Sequence, residues 1–273
     1  MERTITINGG YSLQATLHYP DSKACGNWSK RIPVVVICHG FVGNRIGKNR
    51  LFVNAARKLS GQGFLVLRFD YAGCGESTGD YGTTGFESWI DQTRFVLDYA
   101  LAIEGVDLEK VTLLGHSLGG TTALLTAAID KRVRSLVLWS PVAYPFKDIV
   151  GMTGRSIYEE AQIKGVADYL GYSLTSHFFA SLERTQPFHA GLKFTGDVLL
   201  VHGTSDEIIP VDYSFLYQKL FWTRHDGQCD KEIILYGDHT FSSQESTRQL
   251  FDKTVDWLQN MERKKREWNS WMI

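Results

Sequence analysis

Val111-Thr112-Leu113-Leu114-Gly115-His116-Ser117-Leu118-Gly119-Gly120 decides the fold. Four apolar or β-branched residues in a row read as a strand covered on both faces. The Ala- and Leu-rich run that follows Gly120 reads as a helix. Between them Gly-x-Ser-x-Gly marks a sharp strand-to-helix turn, in which the serine sits in a strained conformation that lifts its hydroxyl clear of the sheet. Glycines at the flanking positions avoid the clashes that side chains would cause there.

The same grammar extends along the chain. Short apolar runs recur at Val34-Val35-Val36-Ile37, Phe64-Leu65-Val66-Leu67, Leu136-Val137-Leu138 and Val198-Leu199-Leu200-Val201, with a last strand expected at Glu232 to Tyr236. Segments of helical period lie between them, for example Phe86, Ile90, Leu97 and Leu101, and a final helix carries Phe251, Val255 and Leu258 on one stripe. Strands alternating with helices imply a parallel sheet built of right-handed crossovers. Ile5 and Ile7, the Asn8-Gly9-Gly10 turn, then Leu13, Ala15 and Leu17 add an antiparallel hairpin at the start. The expectation is an α/β fold: a mostly parallel central sheet, an antiparallel N-terminal hairpin, helices on both faces and a small helical cap. The cap is residues 141–195, where the strand pattern stops and short aromatic-rich helical patterns take over. Residues 1–140 and 196–273 form the core. Asp21 to Arg31 reads as a surface loop.

A serine hydroxyl is too weakly acidic to attack a carbonyl unaided, so it needs a base, and the base needs an orienting group. His202-Gly203-Thr204-Ser205-Asp206 follows the strand ending at Val201, and Tyr236-Gly237-Asp238-His239 follows the last strand. Both loops lie at the carboxyl edge of the sheet, where the catalytic groups of open α/β folds collect. The candidate catalytic residues are therefore Ser117 as nucleophile, His239 as base and Asp206 as orienting acid. Asp238 adjoins His239, but neighbouring side chains point apart. His116, His202 and His39 read as structural, each beside a glycine or in the strained turn. His18, His177, His189 and His225 make no ligand spacing, so no metal site is expected. Developing negative charge on the attacked oxygen needs preset donors, and the backbone N–H groups of Leu118 and Phe41, in Cys38-His39-Gly40-Phe41, are the candidates for this oxyanion hole. The loop Asp70 to Gly79 has its glycines at 73, 75 and 79, one residue too many for Gly-x-Gly-x-x-Gly, so a dinucleotide is not expected.

Composition narrows the partners. Hydrophobic residues make up 43% and charged residues 22% of 273, the balance of a chain that buries a large core. A formal charge of −1 draws it to neither nucleic acid nor anionic lipid. The one basic run, Arg263 to Arg266, with Trp268 and Trp271 after it, suits cations near a helix C-terminus. No apolar run is long enough to span a membrane, and the N-terminus lacks the pattern of a secretory signal. Cys25, Cys38, Cys74 and Cys229 are too scattered for a zinc spacing and read as reduced thiols, which implies a cytoplasmic location.

The motifs His39-Gly40-Phe41, Asp70-x-x-Gly73-x-Gly75-x-Ser77, Gly115-His116-Ser117-x-Gly119-Gly120, His202-Gly203-x-x-Asp206 and Asp238-His239 resemble the α/β-hydrolase superfamily. Within it they resemble the bacterial group that includes cinnamoyl and feruloyl esterases. The resemblance implies a cofactor-free serine esterase acting on a small-molecule ester, with an insertion after the sixth core strand that covers the site and binds an aromatic acyl group. Residues 141–195 occupy that position, and Tyr144, Tyr169, Tyr172 and Phe178 are its candidate pocket residues. A monoacylglycerol lipase, a thioesterase or an aminopeptidase could run on the same three residues, the last using Glu159, Glu160 or Asp168 to hold an amine. A non-catalytic receptor on this fold predicts a damaged triad. A homodimer stays open.

Overall fold

The computed structural model describes residues 1–20 and 31–271; of residues 262 and 264–271 it describes the backbone. Strands β1 (Glu2–Asn8) and β2 (Ser12–His18) form the antiparallel hairpin. β3 (Ile32–Cys38), β4 (Leu65–Phe69), β5 (Val106–His116), β6 (Ser135–Trp139), β9 (Asp197–Gly203) and β10 (Cys229–Ile234) follow, with the pair β7 (Val166–Tyr169) and β8 (Tyr172–Thr175) between β6 and β9. Eight strands make one sheet in the order β1-β2-β4-β3-β5-β6-β9-β10, parallel from β4 to β10. β2 runs antiparallel to β4 and so joins the hairpin to the parallel part.

The continuous apolar runs follow from burial on both faces. Val34 and Val36 face the core on one side, with Val96 and Leu97 of α2 (Glu87–Leu101), Ala123 and Leu124 of α3 (Leu118–Ile129) and Tyr217 of α8 (Asp212–Trp222). Val35 and Ile37 face the other side, with Leu51 and Phe52 of α1 (Leu51–Ser60) and Leu250 and Leu258 of α9 (Gln244–Trp271). Each such side chain contributes roughly 1.5–3 kcal/mol, which fixes the register of every strand it belongs to. The inward face of α2 centres on Trp89, Thr93, Val96 and Ala100; Phe86 and Leu97 are buried, whereas Ile90 and Leu101 lie half-buried at its margins.

Two expectations change. The last strand ends at Ile234 and not at Tyr236, because the chain turns out there: Leu235 and Tyr236 are exposed and Tyr236 has φ 58°. The segment between β6 and β9 is not all helical. Helices α4 (Pro145–Thr153), α5 (Arg155–Lys164), α6 (Ser176–Arg184) and α7 (Pro187–Gly191) are joined by the β7–β8 hairpin. Its two turn residues, Leu170 (φ 54°) and Gly171 (φ 84°), both take the positive φ that matches the twist of a tight hairpin. Strands of four residues with Ala167 and Leu174 as their buried members leave too little alternation to read from sequence. The loop expected at 21–31 falls, up to residue 30, outside the described residues, as does Cys25. The basic run at 263–266 lies within α9, with the side chains of 264–266, Trp268 and Trp271 likewise outside.

Candidate active site

β5 delivers Ser117 to the sheet's carboxyl edge, and α3 begins at the next residue. Ser117 holds φ 58° and ψ −126°, a conformation that costs a non-glycine residue of order 1–3 kcal/mol. The turn is tied down: Ser117 N–H donates to the Trp139 carbonyl at 2.9 Å, and its carbonyl accepts from Gly120 N–H at 2.9 Å and Val142 N–H at 3.2 Å. A Cβ on Gly119 would lie 2.2 Å from the Cys38 carbonyl oxygen and 2.4 Å from that of His39. Only a glycine lets the start of α3 come this close to the end of β3.

That approach sets the loop after β3 against the serine. A Cβ on Gly40 would stand 3.0 Å from Ser117 Cβ and 3.5 Å from its Oγ. His39 fixes the loop from behind: Nδ1–H donates to the Gly40 carbonyl at 2.9 Å, and Nε2 accepts from Tyr71 N–H at 3.1 Å. Burial pushes the His39 imidazole down to about 4, so it holds this tautomer neutral. Val42 N–H donates to Tyr81 Oη at 3.2 Å and Gly43 N–H to the Gly40 carbonyl at 3.1 Å. Among the described residues no protein acceptor meets the N–H of Phe41 or of Leu118. The Asp70 motif braces the same loop, since buried Asp70 accepts from the N–H groups of Arg45 and Glu76 at 2.5 and 3.1 Å and pairs with the Arg45 guanidinium.

The loops that carry Asp206 and His239 are zipped together. Thr204 N–H donates to the Ile234 carbonyl at 3.0 Å and Ser205 N–H to that of Gly237 at 2.9 Å. The result is a 2.8 Å hydrogen bond from His239 Nδ1–H to Asp206 Oδ2, with the Asp206 side chain fully buried. Asp206 Oδ1 accepts from the N–H groups of Ile208 at 3.0 Å and Ile209 at 2.8 Å. Burial by itself would raise this carboxyl; the donors His202 and His239 and the Ile209 N–H outweigh it and hold Asp206 well below the usual carboxylate range. Asp238 is turned to its own loop, accepting from the N–H groups of Thr240 at 3.1 Å and Ser242 at 2.8 Å. His116 Nε2–H donates to the His239 carbonyl at 2.7 Å, and burial pushes its imidazole down to about 3.

Ser117 and His239 open into one cavity of about 520 Å³. Phe41, Val42, Leu51, Phe52, Met152 and Ile208 give it apolar walls. Of the four aromatic pocket residues expected from sequence, Tyr169 lines it, 5.7 Å from the Phe41 ring. The other three do not, for reasons of packing. Phe178 is fully buried, stacked behind Phe41 at 6.3 Å; Tyr172 packs edge-on against Tyr81; Tyr144 faces Phe188 and Tyr213. Glu159 and Glu160 pair with Arg155 and Lys164, and neither they nor Asp168 line the cavity. Sequence reading missed Leu51, Phe52, Met152 and Ile208, which have no shared spacing and meet only in three dimensions. Among the described residues no cluster of three or more His, Cys, Asp or Glu could hold a metal, and no helix is long and apolar enough to cross a membrane.

A family model described as the alpha/beta hydrolase fold matches residues 33–162. Est1E from Butyrivibrio proteoclasticus, solved with ferulic acid bound, superposes with a TM-score of 0.77 at 25% identity, covering 92% of this chain and 98% of that one. Esterase EstD of Thermotoga maritima is 26% identical over 270 residues, 87% of this chain and 58% of the relative. An uncharacterized 31.7 kDa protein of Escherichia coli is 34% identical over 123 residues, 45% of this chain and 41% of the relative. The chain thus spans about two fifths of the length of some of the curated relatives it matches. Sheet order, the strained turn at Ser117 and these neighbours agree that the chain has the α/β-hydrolase fold and resembles bacterial esterases.

Proposed function

We propose that the protein is a serine carboxylic-ester hydrolase working through an acyl-enzyme. The observation that carries this reading is the 2.8 Å hydrogen bond from His239 to buried Asp206, in a cavity that His239 shares with Ser117. Ser117 Oγ attacks the ester carbonyl as its proton passes to His239 Nε2, and Asp206 stabilises the imidazolium that forms. The N–H groups of Phe41 and Leu118 hold the oxyanion. The tetrahedral species collapses, the alcohol leaves with the proton from His239, and a water deprotonated by His239 then releases the acid and restores Ser117.

Residues 141–195 act as a cap over a core of 1–140 and 196–273. The walls formed by Phe41, Phe52 and Tyr169 favour an aromatic acyl group of the hydroxycinnamate class, a reading that Est1E with ferulic acid bound supports. Hydrolysis of 4-nitrophenyl acetate, butyrate and octanoate, methyl ferulate and an aminoacyl amide, each with wild type and Ser117→Ala, tests both levels. Ester turnover is expected in the wild type, at least about 10³-fold lower in the variant, with methyl ferulate preferred. Retained turnover in Ser117→Ala sinks the mechanism; a preference for octanoate sinks only the acyl assignment.

A further inference from the structure

Asp206 answers to two histidines, and only one of them is the base. Its Oδ2 lies 2.8 Å from His239 Nδ1 and 3.2 Å from His202 Nε2, and both the Asp206 and His202 side chains are fully buried. Oδ1 is already taken by the Ile208 and Ile209 N–H groups. A carboxylate has about four acceptor positions, and the His202 Nε2–H, which hydrogen-bonds the Ile209 carbonyl at 3.0 Å, lies 3.2 Å from the oxygen that offers the fourth. The geometry also fixes the proton on His202. Nε2 faces two acceptors, Asp206 Oδ2 and the Ile209 carbonyl at 3.0 Å, so a lone pair there would meet oxygen on both sides. Nδ1 is buried with no hydrogen-bond partner among the described residues, where an N–H would be orphaned. The proton therefore sits on Nε2.

We propose that His202 is a positioning residue for catalysis: anchored by its hydrogen bond to the Ile209 carbonyl, its Nε2–H also bears on Asp206 Oδ2, aims the remaining acceptor lobe at His239 Nδ1 and withdraws charge from the carboxylate. This rests on the serine-hydrolase reading above. The titratable groups facing Asp206 are His202, His239 and, beside them, His116, whose ring lies 4.8 Å from that of His239. When the His202 donor is removed, the full carboxylate charge bears on His239, and an imidazolium there becomes easier to form. The acid limb of the kcat/KM profile must then move to higher pH.

The test compares His202→Leu, which keeps bulk without a donor, with His202→Gln, whose amide N–H has similar reach. The leucine variant is expected to lose about ten- to a hundred-fold in kcat with little change in KM, and to shift the acid limb up by roughly half a pH unit or more. The glutamine variant is expected to recover most of both. Equal losses in the two variants with an unmoved limb would reduce His202 to packing and overturn the proposal. Nitrogen-15 NMR of histidine-labelled wild type provides a check that needs no variant: a proton found on His202 Nδ1 overturns it as well, even if the leucine protein fails to fold. Ser117→Ala, run in parallel, separates the two readings. If it stays active, the serine mechanism itself fails; if it is inert while His202→Leu behaves as wild type, only the positioning role is lost.

Discussion

At the residue scale the proposed chemistry rests on which carboxylate orients His239. Asp206 and Asp238 are both near that histidine in the sequence or the fold, yet one is buried against Nδ1 and the other caps the Thr240 and Ser242 N–H groups. Asp206→Asn is expected to lower kcat by about 10⁴-fold, because an amide can donate to Nδ1 and thereby select the wrong tautomer. Steady-state kinetics on a 4-nitrophenyl ester decide this. A loss below tenfold would move the orienting role elsewhere, with Asp238 next to be tried. Ser117 shows the other side of residue-scale design. Its strained φ is held by the Trp139 carbonyl and the Gly120 and Val142 N–H groups, so the strain resides in a turn whose neighbours leave it no alternative.

At the element scale the site exists because the ends of four strands, β3, β5, β9 and β10, meet the start of α3. α3 can begin beside the end of β3 only while residue 119 lacks a Cβ, and that closeness is what sets Gly40 and Phe41 against Ser117. Gly119→Ala is therefore expected to push the loop after β3 away from the turn. The resulting overpacking should destabilise the fold by about 1–3 kcal/mol, and displacing the Phe41 N–H from its proposed place in the oxyanion hole should lower kcat/KM by about 10²–10³-fold. Thermal melting and kinetics on the same sample check both, and an alanine variant with normal kcat/KM would place the oxyanion donors elsewhere. The β7–β8 hairpin acts at this scale too. It puts Tyr169 at the cavity wall and lets Phe178 at the start of α6 stack behind Phe41, so the segment between β6 and β9 is anchored on the same loop that faces the serine.

At the scale of the whole molecule, three buried histidines bind the fold to pH. Burial pushes the imidazoles of His18 and His39 down to about 4 and that of His116 to about 3, from an ordinary value of 6.5. In the unfolded chain each takes up a proton near pH 6.5 that the folded protein refuses until about 4 or below, so unfolding absorbs protons. Their contribution is complete above pH 6.5 and is lost as the pH falls toward 4, at up to about 1.4 kcal/mol per pH unit for each histidine. The melting temperature is expected to hold from pH 8 to 7 and to fall steeply below 6; a flat profile down to pH 4.5 would contradict this burial. Much was legible beforehand. The apolar runs such as Val34 to Ile37 determined the parallel sheet, since only strands covered on both faces tolerate unbroken β-branched sequence, and Gly-His-Ser-Leu-Gly after such a run determined where the serine turn falls. The order of His202 to Asp206 and Asp238-His239 along the chain marked both further loops. What required the tertiary structure was every feature made by residues distant in sequence. The meeting of Asp206 with two histidines, the turning-out of the chain after Ile234, the short hairpin, and a cavity walled by Phe52, Met152 and Ile208 while Tyr144, Tyr172 and Phe178 pack elsewhere are of this kind. Periodicity reports which face of an element is buried, whereas the identity of the neighbour on that face is set by long-range packing that leaves no local mark.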